Sequence, residues 1–288
     1  MLIAHEPHRN GWEAGFLATN FDLMSLIDLN LALFILVGFL AQMVDGALGM
    51  AYGITGSTVL MSIGVPPAQA SATIHAAEVF TTGASGISHI AHRNLDWKLF
   101  WRLAPAGILG GVLGAYVLTN VPGNLIKPFV CVYLAIMGGI ILSRAIRGLK
   151  EAPPHLNGAV PLGFGGGFLD AVGGGGWGPV VASTLLGRGH APRFAIGTVN
   201  TAEFFVTVAI SATFVWAIFN GGLGEEDGLA GHARAVLGLV IGGLIAAPIA
   251  GYATKLIPAR ILMGMVGALV IVLASWQGWQ VFQKLTGH

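Results

Sequence analysis

Residues 163–209 read GFGGGFLDAVGGGGWGPVVASTLLGRGHAPRFAIGTVNTAEFFVTVA, and residues 38–84 read GFLAQMVDGALGMAYGITGSTVLMSIGVPPAQASATIHAAEVFTTGA. Set against each other without a gap, at an offset of 125, the two stretches share fifteen identical residues. Among the matched pairs are Asp45 and Asp170, Glu78 and Glu203, Gly49 and Gly174, Gly53 and Gly178, Pro67 and Pro192, and Thr73 and Thr198. Acids matched in register inside two apolar stretches point to a duplicated membrane protein with a functional site between its halves.

The composition belongs in a bilayer. Of 288 residues, 55% are hydrophobic and 9% charged, and the mean hydropathy is +0.76. A soluble domain carries about 25% charged residues. Forty-four glycines suit helix packing in lipid, where small residues let backbones approach. A net charge of +1 gives no reason to expect a nucleic-acid partner. The single cysteine, Cys131, excludes an intramolecular disulfide and reads as a small apolar side chain. Residues 1–28 form a polar lead-in without the basic-then-apolar order of a cleaved signal.

Apolar runs give ten helical segments, at 29–46, 51–63, 68–91, 100–120, 124–144, 158–171, 176–187, 192–219, 233–255 and 259–282. A spanning helix needs about 20 residues, so 51–63, 158–171 and 176–187 are too short to cross alone. Residues 29–63 and 158–187 are therefore expected as two hairpins, bent at the glycine-rich tips DGALGMAYG (45–53) and DAVGGGGWG (170–178). Irregular backbone at membrane depth is tolerated only where protein or a water-filled cavity shields it. The expected fold is an all-α integral membrane protein with two membrane repeats, 29–150 and 151–288, of about five helical segments each.

Loop charges set an expected orientation. One set of loops, from Arg93 to Arg260, holds ten basic residues. The other set, with both termini, holds four: Arg9, Lys127, Arg234 and Lys284. The positive-inside rule puts the first set in the cytoplasm and both termini outside. The loop 92–102 is basic, whereas its second-repeat counterpart, 217–234, is acidic. Equivalent loops thus face opposite sides, and the duplication reads as inverted. Later parts correspond at an offset of 136, which pairs Val121-Pro122 with Ile257-Pro258. The spacings Gly107/Gly111, Gly110/Gly114 and Gly238/Gly242 are faces for close helix packing.

Four acids lie within or at the ends of apolar segments: Asp45, Glu78, Asp170 and Glu203. A charged carboxylate near the bilayer centre costs about 2.5–3.5 kcal/mol on insertion scales, and no Lys or Arg lies at comparable depth in the sequence. Asp45 and Asp170 stand at the start of the tips and can cap the following turn. Glu78 and Glu203 are mid-helix, where no orphan amide is available to them. His75 lies three residues before Glu78, and Asn200 three before Glu203, so each pair shares a helix face. These six residues are the candidates for proton coupling or gating, with Thr73 and Thr198 as supporting polar groups. The tips are the candidate substrate site: Gly49, Tyr52 and Gly53 in the first, Gly174, Gly175, Gly176, Trp177 and Gly178 in the second. Glycines at a helix start leave amides uncovered, and the positive dipole end attracts an anion. Tyr52 and Trp177 would wall that site. The glycines can equally serve only a sharp turn and close packing.

At these tips the sequence resembles the TauE/SafE family of membrane permeases, the sulfite exporter or toluene-sulfonate-uptake family. The resemblance covers residues 29–282 and rests on three features. These are the two tips, the prolines Pro67 and Pro192 after the short helices, and the Ala-x-x-Thr stretches Ala70 to Thr73 and Ala195 to Thr198. It implies secondary transport of sulfite, thiosulfate or organosulfonates across a bacterial-type inner membrane. The first tip departs from the family's glycine triplet, reading Gly49-Met50-Ala51-Tyr52-Gly53.

The expected function is secondary transport of a small sulfur-containing anion, with protons as the coupling ion and the lipid bilayer as surroundings. The substrate would lie near the midplane between the tips. The alternative is a cation or metal transporter using Asp45, His75, Glu78, Asp170, Asn200 and Glu203 as ligands. A membrane enzyme is not expected, because no catalytic triad, metalloprotease motif or nucleotide loop occurs. No cofactor is expected, and the oligomeric state, a homo-oligomer included, is left open.

Overall fold

The computed structural model describes residues 29–48, 50–147, 157–221, 228–256 and 259–286. The amino-terminal lead-in, Gly49 and the acidic stretch at 225–227 lie outside them. All regular structure among the described residues is helical. Among the described residues the α-helices are α1 (Leu29–Leu48), α2 (Tyr52–Ser62), α3 (Pro67–Ala91), α4 (Trp97–Asn120), α5 (Gly123–Arg147), α6 (Ala159–Gly173), α7 (Ser183–Gly187), α8 (Pro192–Phe219), α9 (Gly228–Leu256) and α10 (Ala259–Thr286). A π-helical turn, Gly178–Ala182, runs directly into α7. Segments within four helices are long and apolar enough to cross a membrane: Trp97–Asn120, Gly123–Arg147, Arg193–Phe219 and Met263–Gln283.

Local chemistry fixes the boundaries. Pro67 and Pro192 open α3 and α8, where a missing N–H costs nothing. Asp96 caps α4, accepting the amides of Lys98 at 2.9 Å and Leu99 at 3.2 Å. Both broken regions end in left-handed backbone. Ala51 has φ 90°, and Gly174 and Gly175 have φ 66° and 144°. Helix α6, at 15 residues, is about 22 Å long at 1.5 Å per residue, short of the roughly 30 Å hydrocarbon core.

The helices pair in a pattern that survives exchanging the two halves. Helix α1 packs on α9 as α6 packs on α4, α3 meets α9 as α8 meets α4, and α5/α10 and α3/α8 pair with their own counterparts. The pattern holds at residue level. A Cβ on Gly38 would strike the backbone of Leu239, and one on Gly163 would strike the backbone of Leu103. The offsets of 125 and 136 relate those two contacts. The glycine faces of α4 and α9 lie at the same seams, with Gly110 and Gly114 against Phe164 and Phe168, and Gly242 against Ile35 and Phe39. Apolar side chains such as Phe129, Trp216, Phe219 and Met265 remain exposed on the outside, as lipid-facing helices require.

Candidate transport site

The two broken regions touch backbone to backbone at the centre. A Cβ built on Gly53 would lie 2.6 Å from Gly175 Cα and 2.9 Å from Glu78 Oε1. The mirror contact sets Gly178 against Met50, whose Cβ would lie 2.8 Å away. Every residue from Gly173 to Pro179 is buried, as is the run from Met50 to Thr58, so protein shields the irregular backbone.

Each aspartate caps its own tip. Asp170 Oδ1 accepts the amides of Gly176 at 2.6 Å and Trp177 at 2.9 Å, and its backbone carbonyl accepts Gly175 N–H at 2.9 Å. Asp45 accepts the backbone N–H of Tyr52, the counterpart of Trp177. Helices α1 and α6 carry the aspartates in their last turns, so the carboxylates reach forward over the break. Glu78, buried, accepts the amide of Gly53 with one oxygen. Its Oε2 has no partner among the described residues. A mid-helix glutamate thus finds an orphan amide after all, supplied by the tip of its own half. Glu203 is half-buried.

His75 reaches across the halves. Its Nε2 lies 3.2 Å from Asp170 Oδ2, the one salt bridge among the described residues. Its Nδ1 lies 2.8 Å from the carbonyl of Ser71. A carbonyl only accepts, so Nδ1 carries a hydrogen. Nε2 and Oδ2 then face each other at hydrogen-bond distance, where a further proton would be shared between imidazole and carboxylate. Ser71 Oγ donates to Ala171 O at 2.6 Å and braces this arrangement.

The remaining candidates sit elsewhere. Asn200 donates to Ser85 Oγ at 3.1 Å rather than to an acid. Thr198 accepts from the amide of Asp96 at 2.9 Å, at the start of α4. Thr73 is buried in α3. Trp177 is fully buried, its indole N–H on Val199 O at 3.1 Å and its ring against Gly107 and Gly166. Tyr52 donates to Leu239 O at 3.3 Å. Both aromatics are packed into the helix seams.

The family profile described as Sulfite exporter TauE/SafE matches residues 34–277. The chain belongs to the TauE/SafE family. A probable membrane transporter protein of Bacillus subtilis (strain 168), YtnM, is 41% identical over 249 residues, covering 84% of this chain and 80% of that protein. A probable membrane transporter protein of Sinorhizobium sp, ORF9, is 29% identical over 113 residues, covering 38% of this chain and 43% of that one. No solved structure matches. This TauE/SafE member is therefore a membrane transporter.

Four residues absent from the sequence expectations brace the broken regions of this TauE/SafE protein, three of them at the second tip or on His75 and the fourth on α2. Tyr133 donates to Gly175 O at 3.1 Å, and its ring covers Gly173 and Gly176. Arg144 donates to Pro179 O at 3.2 Å, a carbonyl released by the π-turn and also taken by Ser183 Oγ. Ser71 braces His75. Gln277, fully buried in α10, donates to Thr58 O at 3.1 Å. An amide inside an apolar segment was a visible signal for Gln277. Nothing local marks Tyr133. Among the described residues, no group of three or more His, Cys, Asp or Glu side chains converges on a metal position.

Proposed function

We propose that this TauE/SafE transporter carries a small sulfur-containing anion (sulfite, thiosulfate or an organosulfonate) together with protons, by alternating access between two inverted repeats. The observation that carries this reading is Asp170 Oδ1, which accepts two tip amides at 2.6 and 2.9 Å. A carboxylate oxygen there occupies the place that an oxyanion of the substrate would take at a helix start. Four carboxylates in mutual reach would repel an incoming anion strongly at low dielectric. Protonation removes that repulsion, and a protonated Asp170 no longer holds the amides with a charge. The shared proton of His75 and Asp170, and the unpartnered Glu78 Oε2, are the proposed proton carriers.

In the conformation described, Gly53 and Gly175 touch, so the substrate binds where the tips part. The half-exchange symmetry of the helix pairing and the opposed loop charges support the inverted relation and the two glycine-tipped hairpins. The charge asymmetry supports a plasma-membrane orientation with both termini outside, and the family description supports a sulfur anion. The cation-transport alternative has less support, because Asn200 turns to Ser85 and leaves the ligand set incomplete.

The test is flux into proteoliposomes with sulfite, thiosulfate and a small sulfonate under imposed pH gradients. One of these anions is expected to accumulate faster as the compartment supplying it is acidified. Glu78→Gln is expected to abolish flux or make it independent of the gradient. Unchanged flux with unchanged pH dependence in that variant overturns the proton role. Uptake of a divalent cation instead of any anion overturns the substrate class.

A further inference from the structure

A largely apolar cavity with a few polar groups at its edge lies away from the tips. It measures about 370 Å³ and is lined by Pro66 and Pro67 at the start of α3, Gly123, Asn124 and Lys127 at the start of α5, and Gln280 near the end of α10. Lys127 is half-buried and carries no ion pair among the described residues. Asn124 and Gln280 offer amide hydrogens, and no carboxylate is in the lining. A partly desolvated ammonium with neutral donors and no counter-charge favours an anion over a cation.

Two of the lining residues stand on helix faces that continue inward. Gln280 stands one turn from Gln277 on α10, and Lys127 one turn from Cys131 on α5. Cys131 donates to Gln277 Oε1 at 4.0 Å, and Gln277 donates to Thr58 O at 3.1 Å on α2, the helix that begins at the first tip. The opposite end of the same α5/α10 seam is furnished differently. The offset of 136 pairs Lys127 with Met263 and Gln280 with Arg144. Arg144 is already bonded to Pro179 O. The counterpart end of the seam therefore offers Met263 in place of the lysine, and the counterpart of Gln280 is a tied arginine.

We propose that Lys127, with Asn124 and Gln280, forms an anion-binding vestibule on one face of the membrane only, a receiving site that feeds the tips. It rests on the anion-transport reading. The test uses the full chain in lipid nanodiscs, with amine-reactive labelling of Lys127 read by peptide mass spectrometry and exposed Lys98 as internal reference. Thiosulfate, sulfite or sulfate is expected to slow Lys127 labelling several-fold while leaving Lys98 unchanged. Indifference of Lys127 to all three anions overturns the vestibule. In sided vesicles, Lys127→Met is expected to raise KM about tenfold for transport from the Lys127 face, the loss of one charge-assisted bond. The opposite-face KM and kcat should stay as in wild type, and Lys127→Arg should restore KM. Equal KM changes from both faces overturn the proposal by marking a structural defect. If the wild-type protein moves no sulfur anion, the transport reading fails, and the labelling experiment still decides the vestibule by itself.

Discussion

The two tips share a backbone plan and differ in how firmly they are held. In the second, Asp170 takes two amides, His75 takes the other carboxylate oxygen, Tyr133 grips Gly175, and Arg144 and Ser183 take the carbonyl of Pro179. In the first, among the described residues, Asp45 takes the amide of Tyr52 and Glu78 that of Gly53, while Tyr52 donates to Leu239 O and Gln277 to Thr58 O in the helix that follows. The second tip uses glycine for its left-handed turn, while the first holds Ala51 at φ 90°. The two breaks are thus alike in sequence and backbone and unlike in their side-chain partners. The lesson is that two breaks with one backbone plan need not be bonded alike.

Four substitutions probe that difference. The largest effect is expected for Asp170→Ala. It leaves His75 and two amides without a partner in a buried site, a loss of about 3–5 kcal/mol. Unfolding by sodium dodecyl sulfate titration measures it, and Asp45→Ala should cost clearly less. Equal losses would break the comparison. Next comes Gly175→Ala, which adds a Cβ that strikes Gly53 at φ 144°. Strain and overpacking there should cost about 2–4 kcal/mol, whereas Gly187→Ala, with nothing within 4 Å, serves as the silent control.

Tyr133→Phe is expected to cost about 1 kcal/mol through the lost bond to Gly175 O, and to narrow the gap in local protection between the tips. Amide hydrogen exchange at Gly175–Trp177 against Tyr52–Ile54 reads that gap. The smallest effect is expected for Ala51→Gly, a gain of about 1 kcal/mol from relieved left-handed strain. A loss of stability in that variant would show that the first tip is held by contacts of the Ala51 methyl.

Much of the fold was legible because prolines and glycines punctuate it. The segments expected at 68–91, 124–144 and 192–219 stand in the structure as Pro67–Ala91, Gly123–Arg147 and Pro192–Phe219. The errors have physical causes. Helices α1 and α6 run to Leu48 and Gly173, beyond the expected ends at 46 and 171, because their aspartates close the break from inside the helix. Helix α4 begins at Trp97 instead of 100 because Asp96 caps it. Within the site, the capping roles of Asp45 and Asp170 followed from their place at a break. The partner of His75 did not. Helical spacing shows only neighbours three and four residues away and pointed to Glu78, whereas Asp170 lies 95 residues on. Thr198 shows the same limit from the other side. Its match to Thr73 is a likeness in sequence, but the loop before α4 claims its hydroxyl.

The contact of Gly53 with Gly175 has a consequence for how the protein can change. Each glycine is the other's missing side chain, so a residue gained in one half is a wedge driven into its twin. A Cβ on Gly167 would meet the backbone of Gly107 just as closely, so the two halves are answerable to each other wherever glycine meets backbone along their seam.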